Sequence, residues 1–131
     1  MLNAVIDISH HNGKSLNFKQ AKADGIIGVI HKATQGTTGR DPMFKANRKK
    51  VLDAGLLCGA YHFATGSDGV QQAVNFLDAV GDPKDVLMVL DLEPNPTGTS
   101  MNLIEAHAFV THIFEQTGRW PGLYSGHTIK E

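Results

Sequence analysis

Two carboxylates placed two residues apart are the part of this sequence best suited to chemistry. Asp91 and Glu93 follow the apolar run 86–90 and precede Pro94. Such a run predicts a buried strand, and alternate strand residues share one face with Cα atoms about 6.6 Å apart. Because like charges that close resist joint ionisation, we expect Glu93 to keep its proton beside a charged Asp91. A proton donor next to a carboxylate is suited to cleaving a glycosidic bond.

Further polar side chains occur where other predicted strands end. They are Asp7, Lys32, Tyr61, His62 and Tyr124. The carboxyl ends of successive parallel strands form the functional face of an α/β barrel or an open α/β sheet. We therefore expect these residues to gather around the two acids and to bind substrate there.

Some of these residues also fit structural roles. Asp7 fits an acid that bonds to nearby backbone or to Lys32. Lys32 fits an ion-pair partner of the acids better than a Schiff-base nucleophile. Tyr61 and Tyr124 also fit aromatic residues of a barrel core.

No cofactor or metal is expected. The sequence contains neither a phosphate-binding Gly-x-x-x-x-Gly-Lys-Ser/Thr run nor the dinucleotide fingerprint after its first strand. His10 and His11 are adjacent, so on a strand end they would point to opposite sides. The single cysteine, Cys58, lies within the apolar run 56–60, which predicts a buried structural thiol.

The elements that must position these side chains alternate along the chain. Strands are predicted over 4–9, 26–32, 56–63, 86–92 and 122–125, and helices over 17–24, 42–54, 68–80 and 102–116, with another beginning at 128–131. Strict alternation predicts an α/β fold with an all-parallel sheet and right-handed crossovers. A polar loop is expected over 34–40.

Helix boundaries and faces follow from capping residues and apolar spacing. Asn17 and Asp41 are predicted N-caps, the latter with Pro42 at the first helical position, and Ser100 or Asn102 caps the fourth helix. The third helix is expected to turn Val70, Ala73, Val74 and Leu77 inward. The predicted inner side of the fourth comprises Ile104, His107, Ala108, Val110, Thr111 and Phe114.

Composition limits the partners and the organisation. The chain has 131 residues and a formal net charge of −1, which suggests a single domain over 1–131 and does not indicate nucleic acid or a membrane as partner. No signal peptide is visible at the start of the sequence. Cellular location and export route are not predicted.

Ordered blocks over the whole chain resemble the glycoside hydrolase family 25 lysozymes, the Chalaropsis-type muramidases. The matching blocks are 5–13, 32–38, 41–44, 54–56, 59–63, 72–73, 76–77, 90–93 and 117–125. The resemblance implies a TIM-like parallel β/α barrel of five βα units followed by three more strands. It implies cleavage of the β-1,4 bond between N-acetylmuramic acid and N-acetylglucosamine in bacterial peptidoglycan. Glu93 matches the general acid, Asp91 the second acid of the motif, Asp7 the acid after the first strand, and Tyr61 and Tyr124 positions lining the sugar groove.

The sequence departs from the family pattern after its fifth predicted strand, where three further strands would close the barrel. An open sheet has unpaired edges that invite association, so self-association through the open edge is expected. The alternative function is a non-catalytic wall-binding module or an inactive fragment of such an enzyme.

Overall fold

A computed structural model describes residues 5–12 and 16–125. The strands are β1 (Val5–Ile8), β2 (Gly28–Gln35), β3 (Gly39–Arg40), β4 (Leu57–Phe63), β5 (Val86–Asp91) and β6 (Gly122–Tyr124). The α-helices are α1 (Phe18–Ala23), α2 (Phe44–Asp53), α3 (Gly69–Val80) and α4 (Leu103–Thr117), and a 3-10 turn covers His10–Asn12. The predicted helix over 128–131 and the start of the first strand at Ala4 lie outside the described residues.

The sheet is parallel in the order β1-β2-β4-β5-β6, with the short β3 antiparallel to β2. Each parallel neighbour is reached through a helix, as the alternation of elements predicts. The strands form a half-barrel with the helices packed against its outer face. The expected α/β fold with TIM-like strand connections is confirmed.

Two apolar clusters lie between the sheet and the helices. One is built from α3, α4 and the outer faces of β4 and β5, and includes Phe76, Phe109, Ile113 and Leu90, all fully buried. The other lies under α1 and α2 and includes Phe18, Val29, Val51 and Cys58. Cys58 is buried as predicted, and this burial raises the pKa of its thiol.

Asn17 caps α1 as predicted, since its side-chain oxygen accepts a hydrogen bond from the Gln20 amide. The predicted cap at Asp41 is wrong. The N-cap of α2 is Met43, which makes no side-chain cap hydrogen bond, and the helix begins at Phe44. Asp41 instead accepts hydrogen bonds from His10, as described below. The fourth helix is capped by Asn102 rather than Ser100.

The predicted inner faces of the third and fourth helices are correct only in part. Ala73 is fully buried, and Leu77 and Val110 pack against the core. Val70 and Val74 on α3 are 37% and 40% exposed, while Gln72 and Phe76 are fully buried. On α4, Ile104 is 78% exposed and the buried residues are Ala106, Phe109 and Ile113. The exposed Phe114 stacks on Trp120 at 4.2 Å, outside the core. Both helices carry apolar residues on more than one side, so spacing alone did not determine the phase.

The segment predicted as a loop over 34–40 forms a tight hairpin. Strand β2 continues to Gln35, and β3 pairs Thr34 with Arg40 and Gln35 with Gly39. A register shift between Lys32 and Thr34 interrupts the pairing of β2 with β4. Ala33 and Thr34 therefore both point toward the helices, where Ala33 joins the core and Thr34 contacts His62. Such bulges re-aim side chains at strand ends.

Candidate active site

Pairing in the parallel sheet determines which side chains share the inner face. Paired residues point to the same side of a sheet. One row of partners contains Lys32, Tyr61 and Val89, and the next row toward the carboxyl ends contains Phe63, Asp91 and Tyr124. Asp7 pairs with Ile30 one row below. The inner face thus brings together five of the predicted site residues near the carboxyl ends of the strands.

A cleft of about 260 Å³ opens on this inner face. Its lining residues are Val5, Ile6, Asp7, Ile30, Tyr61, Val89, Asp91 and Tyr124. The polar members are two acids and two phenols, set among aliphatic side chains. This composition suits binding of a ligand with hydroxyl groups and an apolar ring face.

Asp91 is the most perturbed group of the cleft. It is only 9% exposed, and its Oδ1 atom has no hydrogen-bond partner among the described residues. Its pKa is raised to about 7, mainly by burial and then by the negative charges of Glu93 and Asp7, while the Lys32 ammonium opposes the shift. Asp91 therefore holds a proton close to neutral pH. Asp91 lies within the strand and is more deeply desolvated than its spacing alone revealed. The expectation that Glu93 acts as the proton donor of the pair stays a prediction.

Glu93 lies two residues beyond Asp91 and is half-buried. Leu92 between them is 3% exposed and packs into the outer core, so alternation directs Glu93 to the inner side. The Leu92 amide donates to the Tyr124 carbonyl at 2.7 Å, which extends the pairing of β5 with β6 past the last strand residue. The charge of Glu93 acts on both Asp91 and Tyr61. The two carboxyls are therefore close enough for the charge of Glu93 to change the pKa of Asp91.

Tyr61 contributes a phenol that stays protonated. Burial raises its pKa far above the ordinary value, and the charges of Asp7, Asp91, Asp41 and Glu93 raise it further. A protonated phenol beside carboxylates is a hydrogen-bond donor. Tyr124, across the cleft, is 56% exposed.

Lys32 lies at the border between this cleft and a second cavity. Its ammonium donates to the Gln35 side-chain oxygen at 2.6 Å and lies 5.4 Å from the Phe63 ring centre. Burial lowers the pKa of Lys32, and the charges of Asp41 and Asp91 partly offset this. The predicted ion pair of Lys32 with the acids is wrong for the described residues, since none of the ion pairs found over 5–12 and 16–125 includes Lys32.

His62 does not reach the cleft, which corrects its assignment as a substrate-binding residue. It is fully buried between the sheet and the helices, stacked on Phe109 at 5.0 Å. Its Nε2 donates to the Gln72 side-chain oxygen at 2.8 Å, so its Nδ1 accepts from the Thr34 hydroxyl at 2.6 Å. Burial lowers its pKa to about 4. Strand alternation explains this, because Tyr61 faces inward and its neighbour must face outward.

Sequence reasoning missed two buried polar residues of α3 that hold the loops around the site. The Gln72 amide nitrogen donates to the carbonyls of Thr65 and Ser67, both at 2.9 Å. The Asn75 amide nitrogen donates to the carbonyls of Gly36 and Gly39 at 3.1 and 3.2 Å. Polar residues three apart within an apolar helix were the available signal, since such residues are buried only with partners.

Asp41 forms a further link, between the segments that follow β1 and β2. Its Oδ2 accepts from the His10 amide at 2.9 Å and from the His10 ring at 3.0 Å, and its Oδ1 accepts from the Met43 amide at 2.9 Å. Burial would raise the pKa of Asp41, but these hydrogen bonds bring it below the ordinary value. Within residues 5–12 and 16–125 no group of three or more His, Cys, Asp or Glu side chains could hold a metal ion.

The described helices include none that is long and apolar enough to cross a membrane. Near the carboxyl ends of the strands lie three acids, Asp7, Asp91 and Glu93, with the phenols of Tyr61 and Tyr124 beside them. This set of groups suits acid–base chemistry in an open groove.

Comparison with known proteins relates this arrangement to one group of enzymes. A sequence profile of the Glycosyl hydrolases family 25 matches residues 6–130. Lysozyme M1 of Streptomyces globisporus is 40% identical over 99 residues, which cover 71% of this chain and 33% of that protein. The chain thus spans about one third of the length of that curated relative.

Solved structures agree over most of the chain. A family GH25 lysozyme from Aspergillus fumigatus has a TM-score of 0.82 and 39% identity, covering 91% of this chain and 63% of the other. A bacterial lysozyme from Streptomyces coelicolor has a TM-score of 0.81 and 34% identity, covering 92% of this chain and 61% of the other.

Proposed function

Since the chain belongs to family 25 of the glycosyl hydrolases, we propose that it is part of a peptidoglycan hydrolase of the N-acetylmuramidase type. Its substrate is the glycan strand of bacterial peptidoglycan, cut at the β-1,4 bond between N-acetylmuramic acid and N-acetylglucosamine. The observation that carries the proposal is the buried, unpartnered Asp91 oxygen beside Glu93 at the open cleft. The proposal treats residues 1–131 as one incomplete barrel domain, which the match over 6–130 supports.

In the proposed mechanism Glu93 delivers a proton to the glycosidic oxygen as the bond to the anomeric carbon breaks. Asp91 exchanges protons within the pair, because its pKa of about 7 lets it hold or release one near neutrality. When ionised, Asp91 orients the 2-acetamido group of the substrate, whose carbonyl oxygen attacks the anomeric carbon with inversion and forms an oxazoline as the protonated leaving sugar departs. Water, deprotonated by Glu93, then opens this ring with a second inversion, so that the configuration is retained overall. If Asp91 instead activates a water, the product is inverted, and product stereochemistry separates the two routes.

The Glu93→Gln variant tests the proposal. We expect it to lose at least about 100-fold of the release of reducing ends from purified peptidoglycan, because general acid catalysis contributes about 10²–10⁴-fold. Its circular dichroism should remain that of the unsubstituted chain. Glu115→Gln, an exposed residue of α4, serves as the matched control and should retain activity.

Two results would contradict this assignment. Full activity of Glu93→Gln would remove Glu93 from the mechanism. Glycan binding without any release of reducing ends by the unsubstituted chain would favour the non-catalytic wall-binding module.

We further propose that this chain self-associates through its open sheet. Among the described residues β1 pairs only with β2, and β6 pairs only with β5 among the parallel strands. Leu57 and Leu87 lie on the inner face between these edges and are 71% and 54% exposed. Unpaired edges beside exposed apolar side chains promote association. Light scattering that shows a monomer at all protein concentrations would refute it.

A further inference from the structure

Helices α1 and α2 form a positively charged surface on the outer side of the sheet. They carry six cationic side chains, which are Lys19, Lys22, Lys45, Arg48, Lys49 and Lys50. The acids there are Asp53 and, directly after α1, Asp24. Helices α3 and α4, in contrast, contain three acids and neither lysine nor arginine. The formal net charge of −1 conceals this separation. The surface formed by the six cations is called the basic face below.

The basic face is continuous from one helix to the other. One shallow depression of about 280 Å³ is lined by Lys45, Arg48, Lys49, Leu52 and Asp53. Another of about 280 Å³ is lined by residues 16–18, Lys19, Lys50 and Asp53. The two depressions therefore adjoin at Asp53. Lys22 of α1 also reaches the end of α2, where its ammonium donates to the Gly55 carbonyl at 3.3 Å.

The fold does not use most of these charges. Over residues 5–12 and 16–125, Lys49 is the one member of the basic face that pairs with a carboxylate, that of Asp53 at 2.8 Å. Lys45 lies in the first turn of α2, which has no acid, so its charge opposes the helix dipole. Arg48 and Lys49 lie three and four residues further on, and like charges at these spacings weaken a helix. Cations kept at a cost to their own helix indicate a surface that binds an anion.

Arg48 is the most firmly positioned member of the basic face. Its guanidinium donates to the Val80 carbonyl at 2.6 Å and lies 5.8 Å from the Phe44 ring centre. This is its one hydrogen bond within the described part of the chain, and a guanidinium has five N–H donors. The remaining donors form a planar fork that suits the oxygens of a phosphate. The exposed lysines around Arg48 add charge without fixing the position of a ligand.

The shape of the basic face favours an extended partner. It lies on the convex side of the half-barrel, and Lys45 and Lys49 are about 6 Å apart along the axis of α2. A row of separate cations on a convex surface fits a chain of repeated single charges better than a small ligand, which needs an enclosed pocket. A membrane fits less well, because Phe44 and Val51 of α2 are buried in the core and cannot enter lipid.

We propose that the basic face binds a linear polyol phosphate polymer of the bacterial cell wall, in which each repeat carries one phosphodiester charge. The choice of a wall polymer rests on the proposed function, which brings the chain to this wall, whereas the binding itself needs no hydrolysis. Arg48 binds one phosphate through its fork, and the exposed lysines bind phosphates before and after it. The cleft lies on the opposite side of the sheet and stays accessible to the glycan.

The test is calorimetric titration of the full 131-residue chain with poly(glycerol phosphate) at low ionic strength. We expect binding that weakens as the salt concentration rises, because each contact with a phosphate releases counterions. Lys45→Gln should weaken binding about fivefold and the double variant Lys45→Gln, Lys49→Gln about 25-fold, since each cation near an anionic surface contributes about the same factor. Lys45→Arg keeps the charge and should bind as the unsubstituted chain does.

Lys84→Gln is the matched control. Lys84 is an exposed lysine in the turn before β5, outside the basic face, so this variant loses the same charge as Lys45→Gln and should keep its affinity. Sedimentation with isolated bacterial walls extends the test to the natural material. The double variant should sediment less than the unsubstituted chain with untreated walls, and the two should not differ on walls from which the phosphate polymer has been removed.

Equal affinity of the double variant and the unsubstituted chain for poly(glycerol phosphate) would overturn the inference. Tighter binding to phosphatidylglycerol vesicles than to the polymer, at equal phosphate concentration, would also overturn it and assign the basic face to a membrane. Either result combined with Glu93-dependent hydrolysis would leave the proposed function standing. Charge-dependent binding of the polymer without any hydrolysis would support the inference and favour the non-catalytic wall-binding module.

Discussion

Asp91 and Glu93 differ chiefly in how deeply each side chain is buried. Their common face follows from strand alternation and could be predicted from two positions in the sequence. The proton could not be assigned in the same way, because desolvation depends on what surrounds each carboxyl. Asp91 is enclosed by the inner face and is 9% exposed, and its pKa rises to about 7. Sequence spacing contains no information on that enclosure.

The raised pKa of Asp91 predicts a pH-dependent effect of Asp91→Asn on stability. An acid with a raised folded-state pKa stabilises the fold fully below its unfolded pKa, here 3.8. That contribution is lost as the pH rises to about 7, because the unfolded chain releases its proton first. The Asn variant should therefore gain up to about 4 kcal/mol of unfolding free energy, relative to the unsubstituted chain, between about pH 4 and about pH 8.

Urea unfolding at the two pH values measures this difference. Asp78→Asn is the control, since the Asp78 side chain is 75% exposed, and its effect should stay within about 0.5 kcal/mol at both. A pH-independent effect of Asp91→Asn would show that Asp91 does not titrate as the structure indicates.

Among the elements, α3 has a function that its apolar pattern concealed. Gln72 and Asn75 occupy positions where a core residue is expected, and they bind the backbone of two rim loops. The existence and approximate bounds of α3 were predicted correctly. Its orientation was not, because the buried side includes polar residues whose partners lie far away in sequence.

Removal of the Gln72 side chain should destabilise the fold. Gln72→Ala leaves the Nε2 of His62 and the backbone groups of Thr65 and Ser67 without partners in a buried setting. Because buried unsatisfied groups cost about 1–3 kcal/mol each, we expect a loss of about 2–4 kcal/mol in urea unfolding. The exposed neighbour Gln71 provides the control, and Gln71→Ala should change stability by less than about 0.5 kcal/mol. Equal effects of the two substitutions would show that the loops do not depend on Gln72.

At the scale of the whole molecule, the parallel sheet was the most predictable feature. Alternating strands and helices allow few other topologies, and all five predicted strands are present. The second cavity was not predictable in shape, because its wall includes the hairpin over 34–40, which was expected to be a loop. The position of this hairpin depends on hydrogen bonds from Asn75 of α3, which is distant in sequence.

The open inner face predicts that Leu87→Gln lowers self-association without loss of stability. Leu87 is 54% exposed on the inner face of β5. Its replacement by Gln therefore reduces the exposed apolar area of this face and does not disturb the core. We expect less dimer in light scattering and a change in unfolding free energy of less than about 1 kcal/mol. Leu52→Gln on α2, with a matching exposure of 52%, should leave association unchanged. If both variants lowered association equally, the inner face would not be the surface through which the chain associates.

The bulge in β2 has the geometry of an inserted residue that the strand accommodates. Lys32, Thr34 and Gln35 pair with the consecutive residues Tyr61, His62 and Phe63, and Ala33 is the extra one. Loss of the Ala33 codon would leave those pairs in phase. Its carbonyl, however, accepts the Asp41 amide at 2.9 Å. A one-codon deletion of Ala33 would thus preserve the register of β2 with β4 but remove the backbone hydrogen bond that Asp41 donates to the Ala33 carbonyl.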